Sequence, residues 1–125
     1  MKRVALISLV LLLGLCVPFS AIAADKEAIE KGVSAVVSSG KLDDETCKAN
    51  APESLYIFVM EEGGKLLVHP KKDAIQNLNA PKYQVIYDEV KKASPEGVWV
   101  KYNWDGKEKN TFVKKVGDKI VGCGY

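Results

Sequence analysis

After Arg3 the sequence contains no arginine, and it has a single histidine, His69. Of three cysteines none forms a Cys-x-x-Cys pair and none lies in a Cys/His cluster, so zinc, haem and thioredoxin-like redox chemistry lack a ligand set. The chain is therefore read as holding no metal and no cofactor. Surplus charge is missing too. Lys2 and Arg3 are two of the 18 basic residues and no acid precedes Asp25, so the remainder carries 16 residues of each sign. Without a basic footprint, DNA and RNA are not expected as partners. There is no internal repeat, no low-complexity tract and no second long apolar run. With 125 residues, 47% hydrophobic and 27% charged, one globular domain is expected and two are excluded.

What is present begins with a leader. Met1-Lys2-Arg3 is a positive start, Val4 to Phe19 is apolar, and Ala21-Ile22-Ala23 supplies the small-x-small pattern before a cut at Ala24. Residues 1–23 are expected to be a signal peptide and 24–125 the domain. The competing reading is an uncleaved anchor, since the charge-free run approaches the roughly 20 residues that span a bilayer. Leu15, before Cys16, does not suit a lipid-attachment box. The expected location is the periplasm or outside the cell, or alternatively the outer face of the inner membrane. Disulfides persist there. Cys47 and Cys123 either bridge, worth about 4 kcal/mol in the chain-entropy model, or remain buried thiols. They are expected to lie close enough to bridge.

Asp25 to Ser39 places Ile29, Val33, Val36 and Val37 on one face of a helix that Gly40 ends. Lys41 to Glu53 reads as a polar connector. Leu55 to Met60, apolar throughout, suggests a central strand covered on both faces, and Lys65 to His69 is its returning partner, stopped by Pro70. After a second connector, Lys71 to Ala80, Pro81 suits the first turn of another helix, with Tyr83, Ile86, Tyr87 and Val90 as its apolar face. Val98 to Trp104, Lys107 to Val116 and Lys119 to Tyr125 form a meander turned by Asp105-Gly106 and Gly117-Asp118.

Those two-residue turns set the register. Trp104 faces Lys107, Tyr102 faces Lys109, Val100 faces Thr111, and across the second turn Thr111 meets Gly124, Phe112 meets Cys123 and Val113 meets Gly122. One meander face then holds Trp99, Phe112, Val121, Cys123 and Tyr125, a core under a helix. The other combines Tyr102, Lys109 and Thr111 with Gly122 and Gly124. Two missing side chains there leave a floor on which a small carboxylate could sit. The same pattern also fits glycines that admit the second helix closely, with Lys109 reaching out to water.

Tyr56-Ile57-Phe58-Val59, Gly64-Lys65-Leu66-Leu67-Val68-His69-Pro70, Gly97 to Trp104 and Lys109 to Tyr125 resemble, in order, the signature blocks of single Cache domains. The resemblance covers most of the chain after the leader. Its most specific parts are the terminal block and the His-Pro after a glycine-turn hairpin. It implies an α+β fold: a PAS/profilin-like antiparallel five-stranded sheet with an N-terminal helix across one face, one further helix, and a small-molecule pocket on the other face. It further implies an extracytoplasmic sensor of small organic acids such as acetate, propionate or pyruvate. His69, Tyr102 and Lys109 fall on its ligand positions. The connector before Pro81 is shorter than is usual in the family, and with no arginine available a carboxylate must be held by Lys, Tyr, His or backbone N–H groups.

Catalysis is not expected. A Cys–His pair needs a thiol beside His69, and the register places Cys123 on the face away from Lys109. Asp43-Asp44-Glu45 cannot reproduce alternating cation ligands and reads as solvated. The expected function is a carboxylate-binding sensor module that signals through a separate membrane receptor or sensor kinase, in the manner of chemotaxis and other signal transduction systems. The alternative is a protein-interaction module that keeps the fold without a ligand.

Overall fold

The computed structural model describes residues 25–125. The expected leader lies outside the described residues. Helix α1, Lys26–Ser39, is started by Asp25, whose Oδ1 accepts from the backbone N–H groups of Glu27 and Ala28 at 3.0 and 3.2 Å. Its i, i+4, i+7 stripe of Ile29, Val33 and Val36 is fully buried.

The residues expected as a polar connector contain a helix, α2, Asp44–Asn50. Asp43 caps it, accepting from Thr46 N–H at 2.8 Å, and hydrogen bonding from Thr46, its side chain first and its backbone N–H second, holds the Asp43 carboxyl below its usual range. The acidic run is thus a cap and first turn, where negative charge suits the exposed N–H groups. Cys47 is the buried residue of this helix.

Strands β1 (Ile57–Glu61), β2 (Leu66–Val68), β3 (Val98–Trp104), β4 (Lys107–Val116) and β5 (Lys119–Gly124) form one antiparallel sheet in the order β2-β1-β5-β4-β3. Between β2 and β3 lie a short helix α3, Lys72–Ile75, a 3₁₀ turn, Pro81–Tyr83, and helix α4, Gln84–Val90. The fold is α+β, as expected. The meander register agrees residue for residue with the one the turns dictate, including Tyr102 opposite Lys109 and Val113 opposite Gly122. β1 enters beside β5, with Ile57 opposite Cys123 and Phe58 opposite Gly122.

Each sheet face carries a core. Under α1 and α2, Ile57, Val59, Phe112, Val121 and Cys123 pack with Ile29, Val33, Val36 and Cys47. Trp99 and Tyr125 edge this cluster, and the Trp99 indole donates to Glu30 at 2.6 Å, tying α1 to β3. Cys47 and Cys123 share this core as unbridged thiols. Burial pushes each of them up to about 11, so they pack as small apolar groups, and the bridge left open by the sequence is not formed.

On the opposite face, Phe58, Met60, Leu66, Leu78, Val90, Val100, Val113 and Ile120 form the second core, edged by Tyr83, Ile86, Tyr87 and Tyr102. The apolar stripe of the second expected helix is therefore used, though its first turn is 3₁₀. The connector from β2 is bound to the β1–β2 hairpin. Leu78 N–H donates to Gly64 carbonyl at 2.8 Å and Leu66 N–H to Gln76 carbonyl at 2.9 Å. Gly64 has φ +108°, and a Cβ there would lie 2.6 Å from Asn77 Oδ1 and 2.8 Å from Asn79 N. Only glycine lets the connector lie this close.

Candidate functional site

Four separate pieces of chain meet at one end of the second core. Tyr56 stands just before β1, with Phe58 two residues on, so both point to the same side of the sheet. His69 follows the last residue of β2. Tyr102 and Lys109 face each other on β3 and β4. Together with Ile75, Leu78, Tyr83, Ile86 and Trp104 these residues line a cavity of about 120 Å³. Its lining includes Tyr83 and Trp104, whose rings meet at a tilt of 35° with centroids 5.6 Å apart, and the buried Leu78.

The polar groups in this cavity are donors. His69 Nδ1 accepts from Lys71 N–H at 2.9 Å, which leaves its proton on Nε2. Burial, with the neighbouring Lys71 charge, holds the imidazole below its usual pKa, so near pH 7 it is a neutral N–H donor. Tyr102 hydroxyl lies 3.1 Å from Thr111 Oγ1, and Thr111 is only 2% exposed. Burial raises the Tyr102 pKa, partly offset by the Thr111 contact, so the phenol keeps its proton. When Thr111 donates in this pair, the phenolic proton is free to point elsewhere. Lys109, half-buried, has no ion pair and no side-chain hydrogen bond among the described residues. No carboxylate is among the lining residues.

Three of the six residues singled out from sequence, His69, Tyr102 and Lys109, thus meet at one cavity. Thr111 stands behind it and holds Tyr102. Gly122 and Gly124 do not line it. A Cβ on Gly122 would lie 2.5 Å from Phe58 Cζ, and one on Gly124 would collide with Thr111 Oγ1. The expected open floor is therefore filled, over Gly122 by an aromatic ring from the neighbouring strand and over Gly124 by the threonine paired with it. Sequence reasoning also missed Tyr56, Phe58, Ile75 and Leu78. Continuing the register onto β1 would have found Phe58.

A second hollow lies on the other side of Tyr56 and His69. It has a volume of about 560 Å³ and runs between α2 and the ends of β1 and β2, lined by Asp44, Cys47, Lys48, Ala51, Pro52, Leu55, Ile57, Val68 and Pro70 besides that pair. The two rings meet edge to face with centroids 4.9 Å apart. Among the described residues no group of three or more His, Cys, Asp or Glu is placed to hold a metal ion, and no helix is long and apolar enough to cross a membrane.

No protein-family model, no curated protein and no solved structure matches the chain.

Proposed function

We propose that this protein is an extracytoplasmic sensor module of the single Cache type, with a PAS-like sheet, that binds a small organic acid between His69, Tyr102 and Lys109. One observation carries the reading: an otherwise apolar cavity collects an unpaired ammonium, a neutral imidazole N–H and a phenol, with no acidic side chain to compete. A carboxylate accepts from all three donor types, and in a partly dry cavity such charge-assisted hydrogen bonds are stronger than in water. The volume, about 120 Å³, is well under the roughly 300–1,000 Å³ of drug-sized sites, which suits an acid of a few heavy atoms such as acetate, propionate or pyruvate. Because Cache-type modules are extracytoplasmic sensors, a membrane receptor or sensor kinase is proposed as its partner.

A carboxylate that binds the native state alone must raise its melting temperature. Thermal-shift measurements against two- to four-carbon mono- and keto-acids test this directly, with the matching alcohols and amines as controls. A rise with acids and none with alcohols supports the site. No rise with any acid removes it.

The packing of Phe58 over Gly122 favours one second reading, a module of the same fold that has lost its ligand and serves as a protein-interaction surface. In that case no small acid stabilises the chain, and substitution at Lys109 leaves its behaviour unchanged.

A further inference from the structure

Tyr56 and His69 line both the 120 Å³ cavity and the 560 Å³ groove. The two members of this shared wall are held differently. His69 is fixed by the end of β2 and by Lys71 N–H on its Nδ1. Tyr56 precedes the first paired residue of β1, is 48% exposed, and its hydroxyl has no hydrogen-bond partner among the described residues. Just before it, Ser54 has φ +71° in the turn closed by Leu55 N–H on Pro52 carbonyl. The Tyr56 ring meets the His69 ring edge to face, with centroids 4.9 Å apart.

We infer that the Tyr56 ring is the partition that sets ligand length: it ends the carboxylate cavity and keeps the apolar groove beyond it out of the site. The inference rests on the carboxylate reading above and adds to it the residue that selects short acids over long ones. The groove beyond the ring has the character an alkyl tail needs, since Leu55, Ile57, Val68, Pro52 and Pro70 form its walls while Asp44 and Lys48 stay at its exposed edge. The groove lies on the α1 and α2 side of the sheet and the cavity on the other, so removing the ring joins them round the start of β1, past His69. A tail then extends from a head held by Lys109 into the groove, and each methylene it buries tightens binding about fourfold, from about 0.8 kcal/mol per CH₂ at 1.4 kcal/mol per tenfold.

The test is the straight-chain series from acetate to octanoate, read by thermal shift and titration calorimetry on the wild-type protein, Tyr56→Ala and Tyr56→Phe. Wild type and Tyr56→Phe should respond to the short acids and stop at about four carbons, because the ring and not the hydroxyl forms the wall. Tyr56→Ala should accept hexanoate and octanoate, with affinity rising along the series. An unchanged cut-off in Tyr56→Ala, with short acids still bound, overturns the inference, as does strong octanoate binding by wild type. A crystal structure of Tyr56→Ala reads the partition without any ligand: one continuous hollow supports it and two separate ones refute it. If no acid binds any of the three proteins yet the hollows have merged, the carboxylate reading fails and takes the length-setting role with it, while Tyr56 remains the wall between the hollows.

Discussion

Phe58 lies directly across the ladder from Gly122, and its ring occupies the space a side chain at 122 would take. This pairing explains why a β-strand core tolerates a glycine here and why the cavity beside it is small. It also makes the two positions energetically coupled. Gly122→Ala should destabilise the protein by about 1–3 kcal/mol through overpacking. Adding Phe58→Ala should relieve the clash, so the double variant loses less than the sum of the single losses. Urea unfolding of the four proteins measures this; strict additivity would show that the ring does not rest on the glycine.

The connector between β2 and β3 owes its place to Gly64. At φ +108° with Asn77 and Asn79 pressed against it, Gly64→Ala combines backbone strain with a steric clash. We expect a loss of about 1–3 kcal/mol and, because Ile75 and Leu78 leave the cavity wall, loss of any ligand-induced rise in Tm. A variant as stable and as responsive as wild type would mean that the connector is not part of the wall.

His69 gives the fold a defined pH response. Its folded-state pKa lies below the unfolded value of 6.5 because burial and Lys71 disfavour the charged ring, and Lys71 N–H occupies Nδ1. The unfolded chain therefore binds the proton more readily. The contribution of His69 to stability is complete above pH 6.5 and is lost as pH falls from there through the folded-state pKa. As the chain has one histidine, a single imidazole titration followed by NMR reports the site without ambiguity. A midpoint at or above 6.5 in the folded protein contradicts the geometry, and His69→Gln should flatten this part of the stability profile.

The meander was legible in the sequence because its two-residue turns permit one register, and that register alone brought Tyr102 beside Lys109. β1 was legible as a strand but not in its register, since an unbroken apolar run has no alternation to say which residues face which side. Phe58 and Tyr56 were missed for that reason. Helix α2 was missed because its seven residues carry no apolar stripe. Its start depends on one capping contact, from Asp43 to Thr46 N–H, in a stretch whose acids also suit a solvated loop. The thiols were ambiguous because both alternatives demand burial, and a bridge and two packed side chains leave the same pattern in a sequence.

Both thiols should be inert while the protein is folded. With each pushed up to about 11 and both buried, little thiolate forms at pH 8. In a Cys16→Ser background, a thiol-reactive chromophore should label neither cysteine in the native state and both in denaturant. Rapid native labelling would contradict the burial, and absence of labelling in denaturant would reveal a bridge.

In the proposed site Lys109 holds a small carboxylate together with Tyr102 and His69. Titration calorimetry of wild type and Lys109→Met with the acid giving the largest thermal shift tests it most directly. A charge-assisted hydrogen bond is worth about 1.5–3 kcal/mol, so the account predicts roughly ten- to a hundredfold weaker binding in Lys109→Met with stability of the free protein unchanged. Equal affinity in the two proteins would place the ligand elsewhere and contradict the account.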